Sequence, residues 1–403
     1  MKNSSQKYLN REDKIISRAL EGYTVVDFSH VVAGPLATHF LALNGARVIK
    51  VETPTGDLLR NYSGNKDEWG MAPAFKGINL GKESVVLDLK TEKGKSDALR
   101  LIESADIVVE NFRPGVMKRL GLAYNDVKVI RPEIIYCSVS GFGQTGAMSD
   151  VAAIDQIMQS LSGVMRLSGE DGDPAMRIGF PVVDTFTGLL AAFAIQTAVV
   201  QRERGLAKGQ YIDVAMLDAS LVMLMSVVNP LLLVGEQPQR TGNRGFSRAP
   251  TADTFPCRKG ELTVGAVEDR HVETMLDILG VPDLLHDPRF ATRIDRLNNA
   301  DAMKDYLATA FEERDAKEWE QLFHAKGLAA ACVMGVDEAV ALSHLESRHL
   351  FLDIDGERAL NAGFCFETGG PGVERAAPRL GENNDILNKP EQNSAPIFNL
   401  QGG

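Results

Sequence analysis

Asp184, in the stretch Arg177-Ile-Gly-Phe-Pro-Val-Val-Asp184-Thr-Phe-Thr-Gly188, places a carboxylate just before a long apolar run, Leu189 to Val200. That spacing puts it at the start of a helix, where two roles are open. It can accept a free N–H as a plain cap, or it can act as a nucleophile that forms a covalent intermediate. Other residues able to do chemistry follow short β-branched runs. His30, Val31 and Val32 come after Tyr23-Thr-Val-Val-Asp-Phe28, and Asn111, Phe112 and Arg113 come after Asp106-Ile-Val-Val-Glu110. Loops beyond the carboxyl ends of parallel strands are where open α/β sheets bind ligands.

The elements needed to position these groups are legible as an alternation. After the first strand comes a helix opened by Pro35 and closed at Gly45, then a strand Arg47 to Glu52. Further strands are expected at Ser84–Leu89, Asp106–Glu110, Glu133–Ser138 and Tyr211–Val214, with an amphipathic helix over Glu92–Ser104. Strand, helix and strand in this order predict an α/β fold, an open parallel sheet with helices on both faces. From Ile154 to Val200 the pattern turns helical, with Gln156, Met158, Leu161 and Val164 as core positions at helical spacing. A polar, Gly-containing connection, Thr241 to Pro250, leads to a smaller α/β unit from Thr254 to about Val333. The tail from Pro378 is rich in Asn, Pro and Gly, and its end is expected to be disordered.

Composition narrows the chemistry. A chain of 403 residues with 44% hydrophobic and 24% charged residues has the balance of a soluble globular protein of two domains, or of one large domain with an insertion. A net charge of -11 argues against nucleic acid as a partner. The four cysteines, Cys137, Cys257, Cys332 and Cys365, form no C-x-x-C pair, so disulfides and zinc are not expected. No signal peptide and no membrane span are expected, which together suggest a reducing, cytoplasmic setting. The loop after the first strand reads Ser29-His-Val-Val-Ala-Gly-Pro35. Its single glycine disfavours a nicotinamide dehydrogenase, and no phosphate-loop, zinc-protease or serine-hydrolase motif is present.

Seven segments in order resemble the family III coenzyme A transferases, which also include 2-methylacyl-CoA racemases and carnitine CoA-transferases. They are Ala33-Gly34-Pro35, Asn44 to Glu52, Gly56-Asp57-x-x-Arg60, Val109 to Gly115, Ser140 to Gly146, Pro181 to Asp184 and Lys208 to Asp213. The resemblance runs from about Leu20 to about Leu387. It implies that Asp184 is the catalytic residue, acting through aspartyl anhydride and aspartyl-CoA thioester intermediates. It implies that Lys82, Asn111, Phe112, Arg113 and Arg119 lie along the CoA path, with no cofactor beyond CoA as co-substrate and no metal. It further implies an interlocked homodimer of two-domain subunits. The expected divisions are 20–228 for the first part of the large CoA-binding domain, 229–332 for the small domain, and 333–403 for the return.

Within the resemblance, Val31 and Val32 line the first loop and, with His30, bear on the acyl pocket. Some members carry Gln in place of Val32, a difference expected to change the acyl pocket and to weaken an assignment to the oxalate and formate branch. Racemases carry His immediately before Asp155, where this chain has Ile154. Moving an α-proton between faces takes two acid–base groups, so CoA transfer is favoured over epimerisation, which stays as the alternative beside a non-catalytic CoA-binding protein. Arg244 and Arg248 are candidates to pair with a second carboxylate. They suggest succinyl-CoA or a similar dicarboxylic acyl-CoA as donor and a small carboxylic acid as acceptor. A nucleophilic Asp184 must be ionised, so N–H donors around its carboxylate are expected.

Overall fold

The computed structural model describes residues 18–388 apart from 63, 65, 68 and 69. The polar N-terminal decapeptide and the end of the tail lie outside the described residues. Six short strands form one parallel sheet: β1 (Thr24–Asp27), β2 (Arg47–Glu52), β3 (Glu83–Val86), β4 (Ile107–Glu110), β5 (Ile135–Ser140) and β6 (Gln210–Ala215). Their order is β3-β2-β1-β4-β5-β6, and every pairing is parallel. The order reverses between β1 and β4, which opens a crevice at the carboxyl ends of those two strands.

Helices cover both faces. Alternate strand residues divide between them, because successive side chains of a strand point to opposite sides. Val25, Val48, Ile107, Val109, Ile135 and Cys137 pack toward α1 (Ala33–Leu43). Val26, Ile49, Val51, Val85, Val108 and Tyr136 pack toward α2 (Glu92–Glu103). Each such apolar side chain contributes about 1.5–3 kcal/mol on full burial. This explains why β1 and β4 read as β-branched runs without polar alternation.

Beyond β5 come α3 (Asp155–Leu161) and α4 (Val182–Glu203). Helix α4 is long and apolar enough to cross a membrane. Here it is a core helix that buries Val183, Thr187, Ala191, Ile195 and Ala198 and packs against α1. Met158 and Val164 are buried as expected, but Gln156 and Leu161 are exposed. The cause is that α3 is short: it stops before Gly163, whose φ of 85° breaks the helix. The buried polar position falls instead on Gln159, whose amide donates to Asp155 Oδ1 at 2.6 Å.

The chain divides into two compact units. One contains the parallel sheet and combines Met1–Ser162, Gly179–Met225 and Ser343–Gly403. The other combines Gly163–Ile178 with Ser226–Leu342. It begins slightly earlier and ends later than the expected 229–332, and it also takes in a loop expected to belong to the large domain. The physical reason is Arg240. Its guanidinium donates to the carbonyls of Arg166 at 3.0 Å and Pro174 at 3.2 Å, and to Asp173 O, while Gly242 N meets Gly169 O at 3.1 Å.

The second unit carries α5 (Met225–Val234), apart from its first residue, and an antiparallel sheet of β7 (Thr254–Pro256), β8 (Glu261–Val264) and β9 (Ala330–Cys332). Helices α6 (Asp269–Leu279), α7 (Ala300–Phe311) and α8 (Ala316–Ala325) complete it. Its core is aromatic, with Phe255 stacked on Phe311 at 4.6 Å and Trp319 Nε1 donating to Phe311 O at 2.9 Å. In the first unit the returning chain forms a hairpin, β10 (Phe351–Ile354) with β11 (Glu357–Leu360). It then covers the β3 edge, where Ser84 N donates to Asn383 Oδ1 at 2.9 Å and Val86 N to Asn384 Oδ1 at 2.8 Å.

Candidate active site

The loop from β1 to α1 is fixed almost entirely by side chains from other segments. Ser29 N donates to Asp27 Oδ1 at 2.9 Å, and Lys50 Nζ donates to Ser29 O at 2.7 Å. His30 N donates to Asn111 Oδ1 at 2.9 Å, and Asn111 Nδ2 returns a bond to His30 O at 2.8 Å. Val31 N reaches both oxygens of Asp57, at 3.2 and 3.3 Å. Val31 stands at φ 67°, a left-handed conformation that strains a β-branched residue by about 1–3 kcal/mol. Gly34 allows the fold-back, since a β-carbon there would lie 2.3 Å from Ser29 Cβ.

Beside this loop lies a cleft of about 280 Å³ whose lining includes His30, Thr53, Thr55, Gly56, Leu58 and Phe112. The rings of His30 and Phe112 meet edge to face at 4.6 Å. The cleft therefore sits at the carboxyl ends of the strands beside the β1/β4 reversal. Beneath it is a buried charge cluster. Lys50 pairs with Asp57 at 2.9 Å, and Lys82 with Asp27 at 3.2 Å. Arg60 pairs with Glu52 at 2.6 Å and lies over the Phe75 ring. Burial alone would raise Asp27, yet Lys82 and Lys50 bring its carboxyl below the ordinary range. Burial likewise opposes the Lys50 charge, but Asp27, Asp57 and Glu52 outweigh it and raise that ammonium. The His30 imidazole is held below its ordinary value by burial and by the Lys50 charge.

Asp184 occupies the first turn of α4. Its role as a helix cap is taken by a different carboxylate. Asp155 Oδ2 accepts from Val183 N at 2.8 Å and from Asp184 N at 3.1 Å. The Asp184 side chain accepts no hydrogen bond from any described residue, which corrects the expectation of surrounding N–H donors. Burial, then the nearby Asp155 charge, push its carboxyl up to about 7. One turn further along α4, Gly188 brings the helix against the first loop, since a β-carbon there would lie 2.7 Å from Ala33 O. Asp184 and Gly188 are four residues apart and share a helix face, so the carboxylate lies one turn before the point where α4 meets the start of α1.

The other expected residues divide. Phe112 lines the cleft, and Arg113 and Arg119 are exposed with no ion pair to a described residue. Asn111 spends its amide on His30. Lys82, expected on the CoA path, has its ammonium enclosed by Asp27, Pro35 O at 2.8 Å and Thr38 Oγ1 at 2.8 Å. With a side chain 0% exposed, it is a core cation beneath the loop. Arg244 pairs with Asp301 and with the buried Asp253, and Arg248 with Glu236 at 3.2 Å. Both charges are thus already matched within the second unit, which removes the stated reason for placing them on a substrate carboxylate.

The family model described as CoA-transferase family III matches residues 20–384. This chain belongs to that family. The transferase is 35% identical to the acetyl-CoA:oxalate CoA-transferase of Acetobacter aceti, over 92% of this chain and 95% of that one. It is 33% identical to the succinate–glutarate CoA-transferase of Agrobacterium fabrum, over 90% of this chain and 93% of that one. The crystal structure of a CAIB/BAIF family protein from Brucella suis superposes with a TM-score of 0.86 at 30% identity, covering 92% of this chain and 99% of that one. As a member of this family the enzyme moves CoA between an acyl-CoA and a carboxylic acid. Sequence reasoning named Asp155 only as the neighbour of Ile154, and it missed the Lys50–Asp57 pair altogether. A lysine and an aspartate in polar-looking segments give no hint of burial, although Lys50 and Glu52 on one face of a buried parallel strand were a signal that could have been used.

Proposed function

We propose that Asp184 is the nucleophile of a CoA transfer that runs through covalent aspartyl intermediates. The observation that carries this reading is the carboxylate left free of hydrogen bonds in the first turn of α4 while Asp155 takes the helix N–H groups. In the ionised form Asp184 attacks the acyl-CoA carbonyl. The carbon–sulfur bond breaks, leaving a mixed anhydride and the CoA thiolate. The thiolate attacks the aspartyl carbonyl, which frees the donor acid and forms an aspartyl-CoA thioester. The acceptor carboxylate then attacks that thioester, and the returning thiolate takes up the new acyl group and restores Asp184. Phe112 and the exposed Arg113 and Arg119 suit the adenine and phosphates of CoA.

The acyl chemistry is read as dicarboxylic. The acids named for the two relatives, oxalate and glutarate, each carry two carboxylates. Their similar identity to this chain leaves the length of the diacid open. Ile154 supplies no acid–base group for α-proton exchange. Two exposed apolar stretches support the homodimer: Leu189 and Phe193 on α4, and Leu232, Leu233 and Val234 on α5.

The test is intact-protein mass spectrometry after incubation with succinyl-CoA and hydroxylamine. A hydroxamate mapped to Asp184, and absent from Asp184→Ala, is the expected result. Turnover of succinyl-CoA and glutarate without any trapped adduct would overturn the covalent route.

A further inference from the structure

The strained turn at Val31 is held by a carboxylate that serves no evident need of the sheet. Asp57 lies in the connection after β2, and its side chain is 1% exposed. It already caps the short helical turn Leu58–Asn61 by accepting from Leu59 N at 2.9 Å, and it pairs with Lys50. The bond to Val31 N is an additional use of the same group. Lys50, tied to Asp57, meanwhile holds Ser29 O. The pair thus grips the loop on both sides of His30, as the two amide bonds of Asn111 grip His30 itself. A left-handed valine persists only where its surroundings over-determine it. Two residues further on, Ala33 approaches the Asp184 helix at Gly188 through its carbonyl oxygen, as Leu36 does through its side chain.

We propose that Asp57 is a positioning residue for transfer: through Lys50 and the Val31 N–H it keeps Val31 left-handed and so sets the start of α1, at Ala33, against the Asp184 helix. This rests on the assignment of Asp184 as the reacting carboxylate. Asp57 is in the lining of the cleft, but its oxygens are engaged by Lys50, Val31 N and Leu59 N, so it acts through the loop. Its effect falls on the orientation of the loop beside the thioester, and misplacement of that order costs about a hundredfold in rate. The loop also borders the cleft, but the cleft is lined by several segments that Asp57 does not orient. The rate at saturation should therefore suffer more than the affinity for acyl-CoA.

The experiment measures the rate of Asp184 hydroxamate formation against succinyl-CoA concentration in four proteins: wild type, Asp57→Asn, Val31→Gly and the double variant. Asp57→Asn is expected to lower the saturating rate about 10- to 100-fold, with the half-saturating concentration changed less than about threefold. Glycine adopts the left-handed conformation without strain. Val31→Gly is therefore expected to recover at least about threefold in the Asp57→Asn background, while slowing the wild-type protein by about threefold. A purely structural role for Asp57, as cap or as counter-charge to Lys50, gives no such rescue. An unchanged rate in Asp57→Asn, or a loss that glycine does not relieve, overturns the proposal. If Asp57→Asn gives no soluble protein, Val31→Gly alone decides: a slower rate at unchanged half-saturation supports the proposal, and an unchanged rate overturns it. Failure of wild type to form any adduct sinks the Asp184 reading as well, whereas wild-type adduct with an unaffected Asp57→Asn sinks only this one.

Discussion

Asp57 and Asp184 are aspartates of the same structural unit, both placed at a helical start and both largely removed from water, yet their surroundings are opposite. Asp57 has the Lys50 ammonium at 2.9 Å and main-chain donors from Val31 and Leu59. Asp184 has no donor among the described residues and a second carboxylate beside it. A carboxylate used to hold the fold has its lone pairs matched. One meant to attack a carbonyl keeps them free, and the cost appears as a raised pKa and lowered stability.

The largest effect that can break the comparison is on turnover. Asp184→Asn keeps the shape of the side chain and removes its nucleophilic charge, so transfer from succinyl-CoA to glutarate is expected to fall by roughly four orders of magnitude or more. Steady-state assay of CoA-ester exchange checks this. Residual activity within about a hundredfold of wild type would return Asp184 to the role of a structural acid.

The comparison also predicts opposite signs in stability. The rise of Asp184 from the ordinary aspartate value to about 7 corresponds to about 4 kcal/mol. A carboxyl raised in the folded state binds its proton more tightly there than in the unfolded chain. Its destabilising effect therefore begins as pH climbs past the unfolded value and is complete above about 7. Asp184→Asn should accordingly melt a few degrees higher than wild type at pH 8, with the gap closing toward pH 4. Asp57→Asn should melt lower, because it leaves Lys50 buried with one counter-charge fewer, a loss of about 3 kcal/mol. Thermal unfolding of the two variants at both pH values checks it, and shifts of the same sign would erase the distinction.

Much of the fold was legible because a doubly covered parallel sheet imposes β-branched runs, and those runs survive in the sequence from β1 to β6. Asp184 was legible through its motif and its place before an apolar helix. What could not be read was how polar groups are satisfied over long separations. Asp155 meets the N–H groups of Val183 and Asp184 across an intervening loop. Arg240 draws 163–178 into the second unit through main-chain carbonyls, which leave no trace in composition. Lys82, which the family likeness placed along the CoA path, lies inside a network with Asp27 and Thr38. A buried ion pair and an exposed charge have the same spelling, and only packing separates them.

The sharpest probe of the unmatched carboxylate is its neighbour. The Asp155 charge is the second cause, after burial, of the raised Asp184 pKa. Asp155→Asn removes that charge while an amide oxygen can still accept from the α4 N–H groups, and Gln159 can turn its amide to suit the new side chain. If the acid limb of log kcat/KM reports ionisation of Asp184, it lies near pH 7 in wild type and moves to lower pH in Asp155→Asn. It should stay above the ordinary aspartate value, since burial is unchanged. Glu110 is the competing source of such a limb, because burial pushes it up to about 7 as well. It accepts from Phe112 N at 2.9 Å, beside the cleft. Glu110→Gln should leave the limb where it is. A limb that moves with Glu110→Gln and stays fixed with Asp155→Asn would mean that activity follows the ordering of the Phe112 loop, with Asp184 already ionised at lower pH.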